Sequence, residues 1–144
     1  STPNETRLLK PYIDVNISPF AEAIPIFASS RSHSDNADSS DSRDLTGLQF
    51  TEMPWLLKSK QQNQSLKNLV EDIWPNSNDN LKRIFAMGYD SLALITKFQA
   101  FMQSPYVRHY GQTGILKLDQ QGVLTRSLLW GSYQKDEVEE IAME

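Results

Sequence analysis

One apolar pattern of helical period, running from Leu81 to Met102, constrains the fold of this chain more than any other feature. Its members lie between an Asn-rich break at 76–80 and Pro105, at Leu81, Ile84, Phe85, Leu92, Ile95, Phe98 and Met102. The pattern predicts a helix of about 24 residues, ~36 Å long. Gly88 lies on this stripe. We expect it to let another element approach closely, the alternative being a glycine that only weakens the helix.

Two further helices are predicted. The first, at 66–74, has its apolar residues at i, i+3, i+4, i+7 and i+8 and ends at Pro75. The second, at 3–16, begins with Thr2 and Glu5 in the spacing of a capping box, and Pro11 is expected to kink or shorten it.

The strands are predicted from short apolar runs and from a change to period two after residue 113. They fall at 24–28, 47–53, a hairpin 114–118 and 123–130 around a turn at 119–122, and a last pair 130–134 and 138–141. Together with the helices they predict an α/β fold.

The segment Ser29–Thr46 is rich in Ser and Asp and poor in apolar residues. Such a composition predicts a long, mobile loop without structure of its own. We therefore expect that replacing 32–42 by a short Gly-Ser link changes stability by less than about 1 kcal/mol.

The opening helix of this 144-residue chain has no strand before it, although a helix with an apolar stripe normally follows a strand in a βα unit. This predicts that the chain is the C-terminal part of a larger protein. Residues 1–144 alone should then lack cooperative unfolding, and a sharp two-state melt would contradict the expectation.

Chemistry-bearing motifs are missing from the sequence. The chain has no Cys, and His33 and His109 stand outside any metal-ligand spacing. Asp35, Asp38, Asp41 and Asp44 do not match a calcium loop, and no nucleophile elbow or phosphate loop occurs. We therefore expect no catalytic set, no metal and no cofactor. The Lys and Arg residues are dispersed, so nucleic acid is not expected as a partner.

The candidate ligand or cleft residues follow the first two predicted strands or lie on the long helix, because ligands of open α/β sheets bind beyond the carboxyl ends of the strands. They are Ser29, Ser30, Arg31, Met53, Trp55, Tyr89 and Asp90. Arg31 could pair with a carboxylate, and Trp55 or Tyr89 could stack on a ligand. Alternatively, the two aromatic residues pack between lobes and Arg31 is solvated.

Several of these stretches resemble a known family. Residues 83–92 and 112–123 resemble the closing half of type I periplasmic binding proteins, in which a Tyr-Asp on a long helix precedes a T-G-x-hydrophobic-x-F/L-D-x-x-G hairpin. Residues 2–5, 28–32, 47–54 and 129–134 look like the C-terminal domain of the LpoA family, the penicillin-binding protein activator lipoproteins. The resemblance covers nearly the whole chain.

The resemblance implies a two-lobed type I periplasmic-binding-protein-like fold with Rossmann-like lobes and a C-terminal β-hairpin. In it, 1–51 would be the end of the second lobe, 52–128 the return to the first, and 129–144 the final crossing back. It also implies a lipoprotein in the periplasm, attached to the inner face of the outer membrane through a lipid anchor absent from this chain.

Two functions follow as expectations. The first is a non-catalytic regulator that binds a class A penicillin-binding protein and activates its peptidoglycan synthesis, as the resemblance implies. The alternative is a periplasmic solute-binding protein whose cleft closes on an amino acid or a cell-wall fragment, which would need several convergent polar groups.

Overall fold

The computed structural model of the chain describes residues 2–17, 24–35, 39–135 and 137–142. Its helices are α1 (Pro3–Asn16), α2 (Ser39–Asp44), α3 (Gln64–Ile73) and α4 (Asp79–Gln103). Its strands are β1 (Ile26–Ala28), β2 (Leu48–Glu52), β3 (His109–Tyr110), β4 (Ile115–Leu118), β5 (Leu124–Ser127), β6 (Leu129–Tyr133) and β7 (Val138–Ile141). The mixed α/β class predicted from the sequence is confirmed.

Helices α1, α3 and α4 begin at side chains that satisfy their first backbone N–H groups. Thr2 and Glu5 form the predicted capping box, in which Glu5 N donates to Thr2 Oγ1 at 3.3 Å and Thr2 N to Glu5 Oε2 at 2.9 Å. Asn63 and Asn78 cap α3 and α4 through their side-chain oxygens. Pro11 lies inside α1, which still extends to Asn16.

The described chain divides into two compact units, one made of Ser1–Glu52 with Trp130–Glu144 and the other of Met53–Leu129. The first unit contains a four-stranded sheet in the order β1-β2-β6-β7. Strands β1 and β2 are parallel, with Ile26 opposite Leu48, and β6 and β7 are antiparallel. Strand β2 alternates in burial and directs Leu48, Phe50 and Glu52 into the unit.

The second unit combines α3 and α4 with an antiparallel sheet of order β3-β4-β5. Its apolar core joins the residues after β2 to the two helices and consists of Met53, Trp55, Leu56, Val70 and Ala86. The predicted turn at 119–122 is present, with Asp119 Oδ1 accepting from the backbone N–H groups of Gln121 and Val123. None of the described helices combines the length and apolar character needed to cross a membrane.

The prediction that Ser29–Thr46 has no structure of its own is wrong for half of the segment. A 3-10 turn occupies Ser30–Ser32 and α2 occupies Ser39–Asp44, while 36–38 lie outside the described residues. Ser32, His33 and Leu45 are buried. The segment has almost no aliphatic residue to anchor it, but His33 takes that role because its ring is stacked on Phe50.

Two other expectations are corrected. The predicted strand 123–130 is two strands, because β5 ends at Ser127 in one sheet and β6 begins at Leu129 in the other. Strand β3 was not predicted.

Gly88 does not admit a neighbouring element, since a Cβ built there has no other atom of the described chain within 4 Å. It is the alternative, a helical glycine in open space.

The apolar stripe that predicted α4 is exposed in this chain. Leu81, Ile84, Leu92, Ile95, Phe98 and Met102 are between 46% and 73% exposed, whereas Ala86, Asp90 and Phe101 are buried. The periodicity therefore predicted the helix correctly, but the apolar stripe is not the face of α4 that is buried within this chain.

Candidate functional site

The structure distributes the seven candidate residues between the two units. Ser29, Ser30 and Arg31 belong to the first unit, where they follow the carboxyl end of β1. Ser29 and Arg31 are exposed and Ser30 is half-buried. The other four, namely Met53, Trp55, Tyr89 and Asp90, belong to the second unit.

Met53 and Trp55 are core residues of the second unit. Trp55 is 1% exposed, and its ring centroid lies 5.3 Å from that of Phe85 on α4. Pro54 between them ends the β2 strand and turns the chain into this core. Because the indole is enclosed by its own unit, Trp55 offers no face to a ligand in this structure.

Tyr89 is a surface residue at one end of an aromatic group centred on Phe85. The rings of Tyr89 and Phe85 are stacked at 6.5 Å, and Trp74 meets Phe85 edge-on at 6.2 Å. Tyr89 is 39% exposed and Trp74 is 50% exposed. The buried Trp55 is thus connected through Phe85 to two accessible rings, of which sequence reasoning selected only Tyr89.

Asp90 is buried, and both oxygens of its carboxylate accept hydrogen bonds from the turn that precedes β4. Oδ1 accepts from Gln112 N at 2.9 Å, while Oδ2 accepts from Thr113 N at 2.7 Å and from Thr113 Oγ1 at 2.6 Å. Charge-assisted bonds of this kind are the strong ones among protein hydrogen bonds. Asp90 therefore fixes the turn at 112–113, and both of its oxygens are engaged by its own chain.

Gly111 makes that approach possible. A Cβ at this position would overlap Oδ2 and the carboxyl carbon of Asp90. Any side chain would push the turn away from the carboxylate, so Gly111 and Asp90 form one structural element.

Gln112 is also hydrogen-bonded to the residues between β2 and α3. Its backbone oxygen accepts from Trp55 N at 2.9 Å, and its side-chain oxygen accepts from Asn63 N at 2.9 Å. Its side-chain nitrogen donates to Gln61 O at 3.1 Å. Residue 112 thus ties α4, the turn before β4 and the segment 53–63 together.

His109 lies beside the same carboxylate. Its Nδ1 is 3.0 Å from Lys97 Nζ, and its Nε2 is 3.9 Å from Asp90 Oδ1. Burial and the neighbouring Lys97 ammonium lower the pKa of His109, and Asp90 opposes this only in part. Its surroundings thus favour the neutral imidazole over the imidazolium.

A second buried polar pair lies in the first unit. His33 Nδ1 is 3.3 Å from Glu52 Oε2, and both side chains are nearly inaccessible. The His33 ring is stacked on Phe50 at 4.7 Å, and Tyr133 lies at 6.0 Å. This pair anchors the segment after β1 to the sheet, which the sequence did not indicate.

An apolar groove runs beside α4 in the second unit. Its volume is about 460 Å³, and it is lined mainly by Leu94, Ile95, Phe98, Phe101, Leu118 and Leu124. Ser91 supplies one of the few polar groups in the lining. The groove can take an apolar surface but offers no set of converging polar groups for a small polar ligand.

The arrangement holds elements of the second unit together, because Gln112 and Thr113 are bonded to Asp90. Among the described residues no three of His, Asp and Glu lie together as a metal site would require. Gln112, Thr113 and His109 were missed as site residues, although Gln112 and Thr113 stand in the T-G hairpin motif that carries the resemblance.

Comparison with known proteins finds a family and its relatives. A family model described as "LppC putative lipoprotein" matches residues 1–136. The penicillin-binding protein activator LpoA of Vibrio vulnificus is 32% identical over 127 residues, which are 88% of this chain and 20% of that protein. The chain thus spans about a fifth of the length of the curated relatives that it matches.

Solved structures show the same relationship. The LpoA C-domain from Haemophilus influenzae, described as a regulator of PBP1A, superposes with a TM-score of 0.79 at 28% identity over 99% of this chain and 43% of that one. A putative branched-chain amino acid ABC transporter from Chromobacterium violaceum superposes with a TM-score of 0.61 at 21% identity, over 91% of this chain and 39% of that one. The second likeness shows the fold alone, which is the periplasmic-binding-protein-like fold that the resemblance implied.

Proposed function

This chain belongs to the LppC lipoprotein family, and from that premise we propose that it is part of an envelope lipoprotein that binds a penicillin-binding protein and activates it. The observation that carries the proposal is the family match over residues 1–136, together with relatives named as penicillin-binding protein activators. The description of one structural neighbour as a regulator of PBP1A supports a class A enzyme as the partner.

We propose that the protein lies in the periplasm, attached to the inner face of the outer membrane by a lipid, and that it acts without catalysis. The lipoprotein family supports the anchor. The engagement of Asp90, Gln112 and Thr113 with each other supports a binding role, because a catalytic group needs access to a substrate.

We further propose that the two compact units contribute to the two lobes of the family fold. Residues 1–51 and 129–144 would complete the second lobe, and 52–128 would return to the first. The compact units divide between Glu52 and Met53 and between Leu129 and Trp130, which is compatible with this assignment.

Of the seven candidate residues, the exposed ones are the best placed to meet a partner. Ser29, Arg31 and Tyr89 reach the surface, whereas Met53, Trp55 and Asp90 are enclosed by their own unit. Because Trp55 and Asp90 are enclosed, a small solute could not reach them in this structure, which disfavours the alternative of a solute-binding protein that uses these two residues.

The test uses the full-length lipoprotein and a purified class A penicillin-binding protein. We expect the immobilised lipoprotein to retain the synthase and to raise its transpeptidation rate in a peptidoglycan assay. Failure of both, with a lipoprotein that gives a native circular dichroism spectrum, would overturn the proposal. Calorimetry with amino acids and muropeptides separates the alternative, because a closing ligand stabilises the protein by RT ln(1 + [L]/Kd).

Binding residues are tested with matched surface variants. Arg31→Ala and Tyr89→Ala should weaken retention of the synthase, whereas Lys117→Ala, at an exposed position on β4, serves as the control. Equal retention by all three variants would remove Arg31 and Tyr89 from the contact surface without affecting the assignment of function.

A further inference from the structure

The side chain of His109 on β3 lies between two charged groups of α4. Lys97 and Asp90 are two helical turns apart and therefore share one face of α4. Nδ1 of His109 is 3.0 Å from Lys97 Nζ, and Nε2 is 3.9 Å from Asp90 Oδ1. His109 contacts the cation closely and stands just beyond hydrogen-bond reach of the anion.

The contact with Lys97 determines the tautomer of the neutral His109 ring. A lysine ammonium can only donate, so Nδ1 must accept and the ring proton must sit on Nε2. Nε2 is buried and has no hydrogen-bond partner within the described chain. The Nε2–H of His109 therefore has no hydrogen-bond partner in the present position of the ring, but a small movement of the ring towards Asp90 Oδ1 would supply one.

Protonation would reverse this arrangement. A proton on Nδ1 removes the acceptor that Lys97 uses and places two cations about 3 Å apart. The same charge attracts the ring towards Asp90 Oδ1, which already accepts from Gln112 N. Oδ1 of Asp90 would then accept from the imidazolium as well as from the Gln112 amide, and the stronger charge-assisted bond to the imidazolium would weaken the bond to Gln112 N.

We propose that Lys97, His109 and Asp90 form a pH-sensitive switch, in which protonation of His109 loosens the bond between Asp90 and Gln112 and thereby the segment 53–63. Gln112 is the link, because it holds Trp55 N, Asn63 N and Gln61 O. The bistable element is the imidazole, which bonds Lys97 when neutral and Asp90 when charged.

Other charged groups near the ring act less directly. Arg126 on β5 lies opposite Leu116, which in turn lies opposite His109, so all three share one face of the sheet. Arg108 donates to the backbone oxygens of Pro105 and Val107. Burial and Lys97 lower the pKa of His109, so the switch operates on the acidic side of the ordinary histidine value of about 6.5. The inference stands independently of the proposed partner.

The test is an NMR titration of the full-length protein, following the His109 ring and the backbone N–H groups of Gln112 and Trp55. We expect the two amide signals to shift with the same midpoint as the ring, because both report on one protonation. Amide signals that stay constant while His109 titrates would overturn the proposal, and this measurement needs no variant.

Two variants separate the switch from a merely local effect. Lys97→Met removes the cation and should move the His109 midpoint upward, whereas Lys117→Met, at an exposed site on β4, should leave it in place. His109→Gln should abolish the pH response of the Gln112 and Trp55 amides. If that response persisted in His109→Gln, the amides would be reporting another group and the proposal would be wrong.

Discussion

Asp90 and Thr113 are joined twice. One oxygen of the Asp90 carboxylate, Oδ2, accepts both the backbone N–H of Thr113 at 2.7 Å and its hydroxyl at 2.6 Å. The two residues are 23 positions apart, on α4 and in the turn before β4. This pair fixes the sheet of the second unit against the long helix.

Replacing Asp90 by Asn should destabilise the protein by about 2–4 kcal/mol, because the change removes a charged acceptor from three buried donors. The matched control is Asp72→Asn, an exposed acid on α3, for which a change within about 0.5 kcal/mol is expected. Urea unfolding of the full-length lipoprotein carrying each variant measures both. Equal losses in the two variants would contradict the role given to Asp90.

Replacing Gly111 by Ala should cost about 1–3 kcal/mol, because the new methyl group would overlap the Asp90 carboxylate. Gly88→Ala is the opposite case, since Gly88 faces open space inside α4 and should gain about 0.5–1 kcal/mol from the better helix former. Thermal unfolding of the two variants should therefore move the midpoint in opposite directions. A stabilised Gly111→Ala would show that the turn can move away from Asp90.

Replacing His33 by Ala should cost about 2–3 kcal/mol, because it removes a buried ring from Phe50 and leaves Glu52 without one of its contacts. Arg31→Ala, two residues away and exposed, should change stability by less than about 0.5 kcal/mol.

From the sequence, replacing 32–42 by a Gly-Ser link is expected to change stability by less than about 1 kcal/mol. The structure predicts a larger loss, at least as large as that of His33→Ala, because the deletion also removes the contacts of His33 with Phe50 and Glu52. Chemical denaturation of the shortened chain beside His33→Ala measures the difference. A shortened chain as stable as the parent would restore the interpretation of the segment as a loop.

The stability of the protein should fall as the solution is acidified through the ordinary histidine pKa, in part because of His109. Burial and Lys97 lower the pKa of His109 in the folded state, so below the ordinary value the unfolded chain binds more protons than the folded chain. The free energy of unfolding therefore decreases on acidification until His109 in the folded state is itself protonated. Unfolding midpoints measured from about pH 7.5 to about pH 5 should depend less on pH in His109→Gln than in the parent protein. An unchanged pH dependence in that variant would assign the effect to other groups.

The candidate site shows where sequence reasoning ends. Asp90 was selected because it follows Tyr89 on the predicted long helix, and the selection identified an important residue but not its role. Its partners Gln112 and Thr113 are 22 and 23 positions away. Only the packing of the turn against α4 brings them within hydrogen-bond distance, and no local pattern encodes that distance.

Local chemistry determined most of the elements of this chain. The caps at Thr2, Asn63 and Asn78, the stop at Pro75 and the turn at 119–122 each depend on groups within a few residues of one another. The sequence therefore determined α1, α3 and α4, the hairpin turn and the α/β class, but not α2 or β3. The tertiary structure alone decided which faces are buried, how 123–133 divides between two sheets, and that His33 meets Glu52 and Asp90 meets Thr113. Those outcomes depend on contacts between residues distant in the chain, whose free energy is gained only when the complete arrangement forms.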